Sequence, residues 1–197
     1  MPSWAVPMLC RKDWRDNMGR GRITIGLYNS LDPVKFREPH RRIIARAGGL
    51  AMSFNMNLAL FGFPFPEDIT QPKELAQWVA GTTSIGSHGD YFMDLAEEGR
   101  FLSFPYPAKG FPPQLGEAIL TTSKPDAKKS ITLRQTVEMV ERGQSILLVF
   151  GVGPHGVPKA PAAIPKYNLD ITDGRYSLET CIAVGAVTGA LHAMLDQ

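Results

Sequence analysis

The stretch FGVGPHGVPKAP, from Phe150 to Pro161, places Gly151, Gly153 and Gly156 at the spacing G-x-G-x-x-G. It follows the most apolar run of the chain, Ser145 to Phe150. Such a turn holds a dinucleotide only when it opens into a helix whose free N–H groups receive the pyrophosphate. Here Pro158, Pro161 and Pro165 stand in the next ten residues, and each proline inside a helix costs about 3 kcal/mol. Asp170 sits where a ribose-binding acid would, but no helix is encoded to place it, and too little chain remains for a substrate domain. The glycines are therefore read as a tight backbone turn, with His155 supporting the loop backbone or standing behind the residues that touch a ligand.

Other reactive side chains are sparse. His88, Asp90 and Asp94 are candidate metal ligands, but no second histidine stands at ligand spacing, so they are read as turn and cap groups. Cys10 and Cys181 are far apart and support neither a disulfide framework nor a cysteine zinc site. Cys181 is expected to be buried and inert. No G-x-S-x-G elbow occurs. Arg11, Lys12, Arg15, Arg20 and Arg22 lie beside Trp4 and Trp14, and Arg41 and Arg42 follow. Together they offer a phosphate-binding surface with stacking partners, against the plainer possibility of a solvated face.

These groups need a scaffold. The chain has 197 residues, 44% apolar and 20% charged, with a formal charge of +2. That suits a packed domain with an arm and excludes global disorder. The opening MPSWAVPMLCRKDW has its apolar run before its basic residues, the wrong order for a secretory signal. The run CIAVGAVTGALHAML is short for a bilayer span and reads as a buried helix. A cytoplasmic protein with no membrane partner is expected.

Strands are expected at 22–29, 57–63, 100–104, 117–123, 145–150 and 167–172. Helices are expected at 38–54, 71–82 and 89–99, over SITLRQTVEMVERG with Ser130 as N-cap, and from near Ser177 to the end. Gly48 and Gly49 within the first helix suggest close backbone packing or a break. This alternation predicts a mainly parallel sheet with helices on both faces. Residues 1–21 read as a basic N-terminal arm and 22–197 as one domain, with an unassigned insertion near 64–116.

The order ILLVFGVGPHGVPK, NLDIT, SLETCIAVGAV resembles the C-terminal part of the SPOUT superfamily of S-adenosylmethionine-dependent RNA methyltransferases. At the front, the strand ITIGLYN and a helix carrying Arg46 in IIARAGG resemble it too. The likeness covers roughly residues 22–63 and 117–195 and looks like an archaeal branch of unassigned function. It implies an α/β fold with a C-terminal deep trefoil knot and a homodimer. The small residues Ala183, Gly185, Ala186, Gly189 and Ala190 suit a helix threaded through a crowded space, or simply close packing.

The resemblance also implies S-adenosylmethionine as cofactor, bent in a cleft of three loops. Mapped here these are Thr121, Thr122 and Ser123; Gly151, Gly153 and Gly156; and Ile171, Thr172, Gly174, Ser177 and Leu178. Glycine lets backbone groups approach a flat adenine edge, so Gly153→Val is expected to abolish donor binding with the fold largely intact. Arg46 and Glu179 are the implied catalytic pair. Ribose-methylating members carry asparagine in S-L-N where this chain has Ser177-Leu178-Glu179. Glu179-Thr180 is closer to the E-T-A of a branch that methylates a uridine ring nitrogen, which points to a base nitrogen of tRNA or rRNA. The plainer role for Glu179 is an acid at a helix N-terminus. Two alternatives stay open: a knotted RNA-binding protein without transfer, and a methyltransferase acting on a protein or small molecule.

Overall fold

The computed structural model describes residues 19–66, 68, 69, 71–82 and 90–196. Seven strands form one sheet: β1 (Ile23–Tyr28), β2 (Asn57–Phe61), β3 (Phe101–Phe104), β4 (Glu117–Thr121), β5 (Ser130–Ile131), β6 (Ile146–Gly151) and β7 (Tyr167–Leu169). Their order is β3-β2-β1-β6-β4-β7-β5, and every pairing is parallel. The helices are α1 (Glu38–Ser53), α2 (Pro72–Thr82), α3 (Tyr91–Glu97), α4 (Leu133–Glu141), α5 (Lys159–Ala162) and α6 (Thr180–Leu195). No described helix is long and apolar enough to cross a membrane.

The central strands are apolar on both faces because both are covered, as parallel sheets require. Side chains alternate along each strand. Ile25, Leu27, Leu58, Leu60, Leu148 and Phe150 meet one core, which takes in residues of α1, α2, α3, α4 and α6. Tyr28, Ala59, Phe61, Leu120, Leu147 and Val149 face the other way. That second face is covered by Phe111, Leu115, Val157 and Ala162. The expectation of helices on both faces is thus corrected. All five longer helices share one core, and the opposite face carries a proline-rich loop, a 3-10 turn (Pro113–Leu115) and the four-residue α5. Prolines make that coverage irregular, since they forbid helix continuation between 105 and 113.

Gly48 has its reason in packing. A Cβ there would fall 2.6 Å from Phe92, so α1 touches α3 across a bare backbone. Tyr91 seals the contact by donating to Ala45 O at 2.7 Å, and burial pushes its pKa up to about 12.

The middle stretch carries α2, α3 and β3, with β3 pairing to β2. Most elements are a residue or two shorter than expected, and three differences are larger. Ser130 is not an N-cap; it lies in β5, which pairs with β7. Thr132 caps α4 instead, accepting Gln135 N–H at 3.2 Å while Gln135 Oε1 accepts Thr132 N–H at 2.9 Å. This reciprocal pair is legible as T-x-x-Q. The strand at 167–172 stops at Leu169, and α6 starts at Thr180 rather than Ser177.

Candidate functional site

In parallel α/β sheets, ligands sit beyond the carboxyl ends of the strands. The neighbours β6, β4 and β7 end together here, with Leu120 opposite Val149 and Thr121 opposite Leu169. The three expected loops therefore leave the sheet side by side. Thr121 Oγ1 donates to Val149 O at 2.8 Å, and Thr122 N–H donates to Leu169 O at 3.0 Å. Thr180 Oγ1 donates to Gly151 O at 2.8 Å, tying the start of α6 to the glycine loop.

The three glycines do different things. A Cβ on Gly151 would fall 2.3 Å from the Gly156 carbonyl carbon, so the loop folds onto itself there. A Cβ on Gly153 would fall 2.3 Å from Ser30 O, and Gly153 N–H donates to Ser30 Oγ at 2.9 Å. Gly156 adopts φ +67°, its N–H returns to Gly153 O at 3.0 Å, and nothing occupies the space a side chain would take. The expectation for Gly153→Val is corrected accordingly. Its side chain would collide with the end of β1, so the fold would not be left intact. His155 is exposed and makes no hydrogen bond among the described residues, so it does not support the loop as expected.

The third loop is organised by Asp170, earlier set aside as a ribose ligand. Its carboxylate accepts Thr172 N–H at 2.8 Å, Thr172 Oγ1 at 2.7 Å and Gly174 N–H at 2.6 Å. Burial works against the charged carboxylate, but these hydrogen bonds prevail and hold its pKa below the ordinary value. Gly174 sits at φ +71°, and Ser123 O lies 3.9 Å from where its Cβ would be.

Arg46 and Glu179 both border Cys181 but form no ion pair with each other. Arg46 Nη1 donates to Cys181 Sγ at 3.4 Å, and Glu179 Oε2 caps α6 by accepting Cys181 N–H at 3.0 Å and Ile182 N–H at 3.3 Å. The Cys181 contact and the nearby Glu179 charge raise the Arg46 pKa. Burial pushes the Cys181 thiol up despite the guanidinium beside it. It is half-buried rather than buried as expected.

A family model described as Protein of unknown function (DUF531) matches residues 23–192. The chain belongs to this family. An uncharacterized protein of Methanocaldococcus jannaschii, MJ0224, is 39% identical over 172 residues, 87% of this chain and 94% of its own. A solved probable methylase family protein from Haemophilus influenzae superposes with a TM-score of 0.57 at 15% identity, over 89% of this chain and 66% of that one. The SpoU methyltransferase AviRb from Streptomyces viridochromogenes gives 0.52 at 14% identity, over 90% and 61%. The chain thus spans between 61% and 66% of these two solved chains. The shared property is the fold, that of SpoU-type methyltransferases, as the resemblance to the SPOUT superfamily implies.

The expected RNA-contacting residues of this DUF531 member divide between two ends. Arg41 and Arg42 lie in the first turns of α1, near the loop edge, each 3.9 Å from Glu38. Arg20 and Arg22 lie at the opposite edge, where Arg22 O accepts Ile146 N–H at the start of β6. Arg11, Lys12 and Arg15 fall outside the described residues, as does His88. Asp90 precedes α3, and its carbonyl accepts Met93 N–H at 2.9 Å.

One group of residues was not anticipated. His40 is fully buried; its Nδ1 accepts Arg37 N–H at 2.9 Å, so the proton resides on Nε2, which donates to Asn29 Oδ1 at 2.9 Å. Asn29 Nδ2 donates to Asp32 O and Gly62 O, both at 2.9 Å, and Tyr106 OH donates to Asn29 O at 2.9 Å. Burial pushes the His40 pKa down. This network holds the turn bearing Ser30, and through it the glycine loop. The sequence signal was a histidine three and four residues before Ile43 and Ile44, on the apolar face of α1.

Proposed function

We propose that the chain is an S-adenosylmethionine-dependent RNA methyltransferase acting at a base nitrogen. The observation that carries this reading is that Arg46 and Glu179 both border Cys181 at the start of α6, which Thr180 ties to the glycine loop at the carboxyl edge of the sheet. The residues present fit the donor in kind. Between the loops, Gly156 leaves backbone facing open space and Gly174 meets only Ser123 O at 3.9 Å, which suits the flat, edge-polar adenine. Thr122, Ser123, Gly156, Gly174, Ser177 and Leu178 would hold it. Gly151 and Gly153 support this wall from behind. When bound, the donor supplies an electrophilic methyl on a sulfonium.

The chain's own residues would then do the rest. Glu179 Oε2 stays with the helix N–H groups, which fixes the carboxylate's orientation, and Oε1 would accept the ring N–H proton. Arg46 would take a flanking phosphate or the carbonyl beside the reacting nitrogen. The sheet order, with β6 between β1 and β4 and β7 between β4 and β5, supports a knotted path. Exposed apolar residues on α6 support a homodimer, with Ile182 58% exposed.

The test is transfer of labelled methyl from S-adenosylmethionine to bulk tRNA and rRNA, followed by nucleoside mass spectrometry. A methylated base that disappears with Glu179→Gln is expected. A methylated ribose would overturn the base-nitrogen reading. Donor binding without transfer to any RNA would favour the binding-protein or other-substrate alternatives.

A further inference from the structure

At the edge of the sheet opposite the three loops, where the strands begin, lies a cleft of about 910 Å³. Its walls include Arg20, Arg22, Arg100, Phe54 and His192. Helix ends are turned unfavourably for an anion here, because α1 and α6 finish at Ser53 and Leu195 and helix carboxyl ends carry partial negative charge. The cleft answers this locally. Arg100 Nη2 donates to Ala51 O and Met56 O, both at 2.7 Å, and its Nη1 pairs with Glu98 at 2.8 Å. The end of α1 and one acid are thereby neutralised. His192 lies 3.2 Å from Asp196, the other acid in the lining.

Two cations are then left over. Arg20 and Arg22 are exposed, and their guanidiniums pair with no carboxylate among the described residues. In the same lining, the part-exposed rings of Phe54 and His192 stack with centroids 4.6 Å apart. Free guanidinium beside an accessible aromatic surface is how single-stranded nucleic acid is held without sequence preference.

We propose that this cleft is a second RNA-binding site, with Arg20 and Arg22 on backbone phosphates and the Phe54–His192 pair against an unpaired base. The proposal rests on the RNA methyltransferase reading and adds a second point of contact to it. An acidic peptide would engage the arginines but leave the ring pair unused. A strand of six residues at about 3.3 Å each separates the cleft from the donor loops by roughly 20 Å. A single nucleotide cannot touch both ends; an RNA strand can.

The test uses the full chain, a labelled mixed-sequence single-stranded RNA and fluorescence anisotropy across a salt series. Arg20→Glu/Arg22→Glu should weaken RNA binding by at least about tenfold and lower the salt slope by about 1.4, the loss of two single-strand phosphate contacts. S-adenosylmethionine affinity should be unchanged, because the donor loops lie at the other edge. Phe54→Leu should weaken single-stranded RNA more than duplex RNA. Equal RNA affinity in wild type and the arginine variant overturns the cleft assignment and leaves the methyltransferase reading standing. Donor binding with no RNA binding by the wild type overturns both the cleft and the RNA substrate. Displacement of RNA by poly-aspartate at equal charge concentration overturns the assignment in favour of an acidic peptide.

Discussion

Ser30 and Gly153 lie 123 positions apart, yet the Ser30 hydroxyl accepts the Gly153 N–H at 2.9 Å and the Ser30 carbonyl fills the place of a Gly153 side chain. The end of β1 and the glycine loop after β6 are thus one packed unit. The loop's shape depends on contacts made by the opposite end of the chain.

The first prediction separates the glycines. Gly153→Ala forces backbone apart and should cost about 2 kcal/mol, as overpacked cores do. Gly156→Ala meets open space and only a positive φ, so about 1 kcal/mol is expected. Urea unfolding midpoints of the two variants against wild type check the order, and Gly153→Ala should be the variant that also loses donor affinity.

The second concerns pH. Burial lowers the folded-state pKa of His40 below its unfolded value of about 6.5, so the folded state resists protonation more than the unfolded chain does. Its contribution to stability is present above that unfolded value and is lost as pH falls toward the depressed folded value. Asp32 and Arg37 are the charged groups that act on His40, with opposite signs. Urea denaturation at pH 7.5 and 5.5 should show a loss in the wild type that shrinks in His40→Gln. Asn29→Ala, which orphans the buried partners of its amide, should cost about 2–3 kcal/mol at either pH.

Glu179 has two separable duties. Glu179→Gln keeps an amide oxygen for the Cys181 and Ile182 N–H groups and should change stability little. Glu179→Ala removes the cap and should cost about 1 kcal/mol. Both should abolish transfer if the carboxylate accepts the proton. Thermal melts measured beside methyl-transfer assays distinguish cap from base, and full activity in Glu179→Gln would leave only the cap.

The fourth addresses assembly. Ile182 is the most exposed apolar residue of α6, a helix apolar on nearly every side. Ile182→Arg should convert a dimer to a monomer in size-exclusion chromatography with light scattering. A monomeric wild type would contradict the dimer.

Much of this was legible in the residues. The strand positions followed from β-branched and apolar runs, and the prolines after Gly156 ruled out a pyrophosphate helix, leaving only α5. The choice of Arg46 and Glu179 came through resemblance, and the structure puts both beside Cys181 without pairing them. Other features depend on partners distant in sequence, which spacing does not encode. Gly153 needed Ser30, Gly48 needed Phe92, and β5 is two residues long because it exists only by pairing with β7. Asp170 was visible as an acid at a plausible distance, but its three hydrogen bonds serve its own loop.

The central claim is that the three loops hold a methyl donor. Calorimetric titration of the chain with S-adenosylmethionine up to about 1 mM reaches binding as weak as roughly −4 kcal/mol. Saturable binding of one donor per chain, lost in Gly153→Ala, is the predicted result. No binding heat at that concentration from folded protein would contradict it.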